Sequence, residues 1–242
     1  AWPRRNQKFW TEIDKLMEQI RYLEFTGGEP FMIQEHFDLL QRMVDKDIAK
    51  NVEIHYNTNG SKFPEHAESI WKHFKLIEIA FSIDDVDERF EYQRANAIWA
   101  EVNTNMDRFE AMRDRNTNIQ LQVCSTVNVF NVMYLEGLAN WIDKRSFDFV
   151  YWNMLHEARH HSVSTLPQNA KQIAINKLKS ANVTEYHKQE FSNIIDFING
   201  GDSLDGDQLR KTVADVDWRR QQDLRTHHPE LAYAIEYNGP KK

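Results

Sequence analysis

Thr26-Gly27-Gly28-Glu29-Pro30 places two glycines, a carboxylate and a proline in one short stretch. The glycines let a ligand approach the backbone, Glu29 supplies an anionic acceptor, and Pro30 presets the entry to a helix. Such a site suits an ammonium group, although Gly27 to Pro30 also reads as a plain strand-to-helix turn. Further polar stretches recur downstream at Asn57-Thr58-Asn59-Gly60, Ser82-Ile83-Asp84-Asp85, Thr126-Val127-Asn128 and Asn153-Met154-Leu155-His156. Asp84 and Asp85 are adjacent, and neighbours on a strand point to opposite faces, which argues against a catalytic carboxylate pair. His156, His160 and His161 lie close enough in sequence to suggest zinc, but they lack the His-Glu-x-x-His order and read better as a polar rim facing solvent or substrate. Cys124 sits in an apolar run and reads as a buried structural thiol. His227-His228-Pro229 reads as a helix stop, where a cationic His favours the terminal carbonyls.

These stretches are useful together only if one architecture gathers them. Apolar residues at Phe9, Trp10, Ile13, Leu16, Met17 and Ile20 predict a helix, and Tyr22 to Thr26 a strand closed by the glycines. Helical spacing resumes from Phe31 to Lys50, and Val52 to Thr58 predicts the next strand. Ile70, Trp71 and Phe74 mark a helix before a strand at Ile77 to Ser82. Ile119 to Val127, a helix through Leu135 and Ile142, and Phe147 to Leu155 continue the alternation. Strands separated by helical connectors pair in parallel, and ligands in such folds bind beyond the carboxyl ends of the strands, where every polar stretch above falls. After Pro167 the pattern is helical only, with an apolar run from Phe191 to Ile198 and a segment from Leu209 to Leu224. The acidic Gly200 to Asp207 stretch lacks the spacing of a calcium loop and reads as an interhelical connection.

The 242 residues are 41% hydrophobic, enough for one sizeable core, and carry a net charge of −7. That charge argues against a broad nucleic-acid-binding face. No apolar run approaches the roughly 20 residues that span a bilayer, and the N-terminal residues lack a signal-peptide core, so no membrane partner and a cytoplasmic location are expected. With Cys124 the only cysteine, no internal disulfide and no multi-thiolate cluster can form from this chain alone.

Leu23 to Pro30 resembles the Gly-Gly-Glu-Pro strand end of the radical S-adenosylmethionine (radical SAM) enzymes. Tyr56 to Gly60 and Phe81 to Asp84 resemble that family's third and fourth strand ends in the same order. Tyr92-Gln93-Arg94 is similar to an Arg that several subfamilies place after the fourth strand. The resemblance implies a partial (β/α)6 TIM-like barrel of parallel strands lacking its first strand, with residues 1–166 as core and 167–242 as a helical extension similar to a twitch domain. It implies that Thr26, Gly27, Gly28, Glu29, Pro30, Thr58, Asn59, Ser82, Asp84, Arg94, Asn128, Met154 and Leu155 contact S-adenosylmethionine. Gly27 to Glu29 would meet the methionyl amino group, and Ser82 with Arg94 its carboxylate; alternatively Arg94 forms a surface ion pair with Glu88 or Glu91.

In the family, a Cys-x3-Cys-x2-Cys loop holds a [4Fe–4S] cluster that reduces the cofactor to a 5′-deoxyadenosyl radical. No such loop is present, so the sequence is expected to start just after it, as a truncated form that cannot cleave the cofactor. The parent would take a peptide or small-molecule substrate and an electron donor such as flavodoxin or ferredoxin. A degenerate, noncatalytic relative that binds a nucleoside or peptide at the same rim is the competing expectation. An exposed edge on the Ile20 to Thr26 strand is also expected.

Overall fold

In the computed structural model, which describes residues 6–240, five strands form one sheet in sequence order: β1 (Tyr22–Phe25), β2 (Glu53–Thr58), β3 (Leu76–Phe81), β4 (Ile119–Val127) and β5 (Phe149–Met154). The pairs β1–β2, β2–β3 and β3–β4 are parallel, as the long helical crossovers between these strands require. The class is α/β, as expected. Along β2 every second side chain is buried, the period-two pattern of a strand packed on one face. No helix among the described residues is long and apolar enough to cross a membrane.

The chain groups into two compact units. The first holds the residues up to Ser82, Ala100–Val123 and Phe147–Val150. Its helices are α1 (Gln7–Leu16), α2 (Gln34–Asp45), α3 (Ala67–Trp71) and most of α5 (Trp99–Arg115). Ile54, Tyr56, Ile77, Ile79 and Phe81 of the sheet are fully buried in it, with Leu40, Met43, Trp71 and Phe109 from the helices. The Tyr56 hydroxyl accepts the Trp71 indole N–H at 3.2 Å, which satisfies a polar pair that burial would otherwise penalise. Phe31 packs its ring on Tyr56, Trp71 and Phe109 at centroid distances of 5.1, 5.8 and 5.8 Å. Being the residue after Pro30, it anchors the Gly-Gly-Glu-Pro turn to the core.

Two helical expectations in this unit change. The Phe31 to Lys50 helix divides into a 3-10 turn at Pro30–Met32, α2, and a second 3-10 turn at Ala49–Asn51. It stops because Asp47 takes a positive φ of 56°, a conformation that ends an α-helix. The apolar stripe before β1 does form a helix, but α1 buries none of its residues and Leu16 is 52% exposed.

The second unit holds Ile83–Trp99, Cys124–Ser146 and the chain from Tyr151 onward. It contains α4 (Asp87–Gln93), α6 (Leu135–Ile142), α7 (Gln168–Ser180), α8 (Glu185–Asn199), α9 (Asp207–Arg220), α10 (Leu224–His227) and α11 (Pro229–Ala234). Ala170, Ala174 and Leu178 of α7 and Phe191, Ile194 and Ile198 of α8 are buried, and the edge of Trp152 meets the rings of His187 and Phe191 at 5.5 and 5.9 Å. The expected Leu209 to Leu224 segment is not one helix. Gln221 turns to a positive φ and donates its N–H to Asp217, after which Asp223 caps α10 by accepting from Arg225 N.

Candidate functional site

In the first unit the strand ends are wired together through one carboxylate. Glu29 follows Gly28 past the end of β1 and accepts the Thr58 hydroxyl at 2.8 and 2.9 Å, the Asn59 N–H at 3.1 Å and the Phe31 N–H at 3.3 Å. The hydroxyl is shared, so each carboxylate oxygen meets Thr58 and one backbone N–H, Phe31 at Oε1 and Asn59 at Oε2, and the group is held from both oxygens. Burial pushes the Glu29 carboxyl up, while the Thr58, Asn59 and Phe31 bonds and Lys62 oppose this. The Thr58 oxygen in turn accepts the Gly60 N–H at 3.1 Å.

Gly60 has φ +74°, which strains any residue with a Cβ, and a Cβ there would lie 2.7 Å from the terminal methyl of Met106, which would have to move, so glycine suits this turn against α5. Around Gly27 and Gly28, by contrast, a Cβ would meet nothing within 4 Å. Thr26, Gly27 and Gly28 are exposed, Glu29 half-buried and Pro30 buried. At the next strand end the Ser82 N–H donates to Thr58 O at 2.8 Å. An open backbone edge beside a held, partly buried carboxylate fits a small cationic group such as an ammonium.

In the second unit Asp84 has the organising place. Its carboxylate takes the Arg94 guanidinium at 2.5 Å and the Thr126 N–H at 2.7 Å, and its carbonyl accepts from Asn131 at 2.7 Å. The acid that pairs with Arg94 is thus Asp84, rather than the expected Glu88 or Glu91, and Glu91 caps Trp99 N at 2.7 Å instead. Asp85 points elsewhere, to Arg89 at 3.1 Å and its neighbour Val86 N at 2.8 Å. Burial pushes Asp85 up to about 7 despite Arg89. Gln93 joins the two sets, donating to Asp85 at 3.4 Å and accepting from Asn128 at 3.1 Å.

A cavity of about 400 Å³ opens here, lined by Asp84, Arg94, Asn128, Leu155, His161 and, from α9, Val216 and Arg220 among others. Met154 ends β5, half-buried. Arg94 Nε and His161 Nε2 are buried without a hydrogen-bond partner, and burial lowers the His161 pKa, with His160 adding to it.

Behind the cavity lies a group that sequence reasoning missed. Asp217 of α9 is fully buried and accepts the Tyr92 hydroxyl at 2.8 Å, the Tyr237 hydroxyl at 2.7 Å and the Leu224 N–H at 2.8 Å. His228 is also fully buried, against the rings of Tyr92, Phe130 and Tyr134. Burial pushes it down to about 3, with Arg89 adding to the shift; α10 does stop at His227, as expected, but with a neutral His228 as its cap rather than a cationic one. His156 and His160 do not share a helix face, because Arg159–His161 is a 3-10 turn entered through Ala158 at φ 53°. Among the described residues no three His, Cys, Asp or Glu side chains gather to hold a metal. The Cys124 thiol is half-buried and burial pushes its pKa up.

The radical SAM superfamily model matches residues 5–142, more than half of the chain. The chain belongs to the radical SAM superfamily. Among solved structures, native anSMEcpe with bound AdoMet aligns with a TM-score of 0.52 at 16% identity, over 86% of this chain and 57% of that one. The same protein with AdoMet and the Cp18Cys peptide aligns at 0.48 and 14%, over 84% and 57%. The first likeness shows a shared fold, the parallel sheet of a partial barrel followed by helices; this chain spans a little over half of the solved relative's length. No curated protein matches the sequence.

Proposed function

We propose that this chain binds S-adenosylmethionine and forms the cofactor-binding part of a radical SAM enzyme, with residues 1–166 as its core and 167–242 as an extension. The observation that carries the reading is the Glu29 carboxylate. It is held, half-buried, at the ends of β1 and β2, beside a glycine pair with open space around it. The family places the methionyl ammonium at this motif. By the motif resemblance, Asp84, Arg94, Asn128, Met154 and Leu155 would meet the same ligand, with Arg94 toward a carboxylate. Binding supplies an activated sulfonium; this chain's residues orient it, Glu29 by accepting from the ammonium and the buried Thr58 by fixing Glu29.

The cluster is a different matter. A [4Fe–4S] centre with an open iron needs three thiolates, and this chain has one cysteine, Cys124. Its residues do not fit the cluster, so the ligands for radical chemistry must come from outside these 242 residues, and the peptide or small-molecule substrate and the flavodoxin- or ferredoxin-type donor belong to that fuller enzyme. The same single cysteine favours a second reading, a noncatalytic relative that binds a nucleoside or peptide at this rim.

Calorimetric titration of the full chain with S-adenosylmethionine tests the binding. Saturable binding is expected, weakened at least tenfold by Glu29→Gln and unchanged by Glu12→Gln on the exposed face of α1. Absence of binding, or binding indifferent to Glu29→Gln in a protein with a native circular dichroism spectrum, overturns it. After anaerobic incubation with iron, sulfide and dithionite, no 5′-deoxyadenosine is expected from this chain.

A further inference from the structure

Arg220 ends α9 on the wall of the second unit's cavity, and among the described residues its charge has no carboxylate to meet. Arg220 is exposed, and one guanidinium nitrogen donates to the Tyr92 carbonyl at 3.1 Å, a contact that holds the group at the cavity wall while its other N–H donors face solvent and are free for a ligand. Its neighbours on the same helix are paired, Arg210 with Asp207 and Arg219 with Asp215. The nearest candidate on its own helix, Asp217, is consumed by two phenols and a backbone N–H. The other arginine of the cavity, Arg94, is already bound to Asp84.

The helix presents Thr212, Val216 and Arg220 to the cavity, spaced four residues apart and so on one face. A ligand lying along this face meets aliphatic surface and then a cation. Leu155, Phe130 and Tyr92 complete an apolar wall. At about 400 Å³ the space is near the lower end of the range for small-molecule sites, roughly 300–1,000 Å³, which suits a metabolite-sized group. A guanidinium on the wall of such a space, without a carboxylate partner, recognises oxyanions, which it can engage through two parallel N–H donors.

We infer that Arg220 is the anchor of a substrate subsite for a small molecule with an apolar body and a terminal oxyanion, a carboxylate or a phosphate ester. This names the substrate class of the proposed enzyme and rests on that reading, under which Asp84, Arg94, Asn128 and Leu155 of the same cavity meet the cofactor and the α9 face is left to the substrate beside it, whereas the oxyanion subsite itself rests on the cavity.

Ligand-observed NMR on the full chain, with and without saturating S-adenosylmethionine, tests it with three probes of equal chain length: hexanoate, hexyl phosphate and hexylammonium. At least one anion is expected to bind and hexylammonium not to. The anion that binds best identifies the source of the oxyanion. Arg220→Gln should weaken that anion at least tenfold, Arg220→Lys should restore part of it, and Arg219→Gln, which removes the same charge one residue away, should change nothing. Equal binding of hexylammonium, no binding of either anion, or an Arg220→Gln protein that keeps the anion and loses S-adenosylmethionine instead overturns the inference. If the anion binds through Arg220 but S-adenosylmethionine does not bind at all, the subsite stands and the cofactor reading fails.

Discussion

Thr58 and Glu29 lie 29 residues apart and meet through one proton: the hydroxyl is shared between both carboxylate oxygens, at 2.8 and 2.9 Å. The same oxygen accepts from Gly60. Thr58→Val keeps the shape, but leaves the Gly60 N–H unpaired and takes from each Glu29 oxygen one of its two contacts. We expect a loss of about 1–3 kcal/mol in urea unfolding, with weaker S-adenosylmethionine binding in calorimetry; Thr58→Ser should restore both.

Gly60→Ala should be worse than a surface glycine change, because positive φ and the Met106 methyl carbon at 2.7 Å act together. A strained backbone position of this kind costs about 2 kcal/mol, and Met106→Ala in the same chain should recover the packing part only. Equilibrium unfolding of the single and double variants measures the split.

Two buried groups give stability opposite pH slopes. Asp85 is raised from its ordinary 3.8 to about 7, so its contribution is intact below about pH 4 and is lost as pH rises toward 7. His228 is lowered from 6.5 to about 3, so its neutral ring contributes fully above pH 6.5 and that stability is lost as pH falls toward 3. His36, pushed down to about 4 by burial, acts in the same sense as His228. Each shift is worth on the order of 3–5 kcal/mol across its window. In urea melts between pH 4 and 8, Asp85→Asn should remove the decline toward neutral pH, and His228→Leu should reduce the decline toward acid. If neither slope moves, these two assignments are wrong.

Arg94 offers a direct check on the second unit. Asp84→Asn takes away the carboxylate on Arg94 while keeping an oxygen for the Thr126 N–H. If Arg94 binds the cofactor carboxylate, this variant should bind S-adenosylmethionine at least as tightly as the parent chain, and Arg94→Gln more weakly. Calorimetry on the two variants reads this, and equal affinities would remove Arg94 from the proposed set.

What could be read from the sequence depended on whether the signal was local. The strand ending at Val127 was legible to the residue because nine consecutive positions carry one uninterrupted β pattern. The Gly-Gly-Glu-Pro turn and its Asn-Gly counterpart were legible because glycine and proline declare backbone geometry. The alternative ion pair for Arg94 named the wrong acids because Glu88 and Glu91 are nearer in the chain, whereas Asp84 lies ten residues back, before the start of α4. Asp217 was invisible: α9 is highly charged, and an acid among charged residues reads as solvated unless the two tyrosines that bury it are known.

That carboxylate also shapes how the sequence can change. Tyr92 and Tyr237 are 125 and 20 residues from Asp217, yet neither phenol can be exchanged without stranding an acceptor, and Asp217 cannot be exchanged without stranding three donors, the two phenols and the Leu224 N–H. The three positions therefore form an epistatic set. A relative in which Asp217 has become apolar should carry phenylalanine at the positions of Tyr92 and Tyr237, and a relative that has lost only one tyrosine should have found its carboxylate another donor.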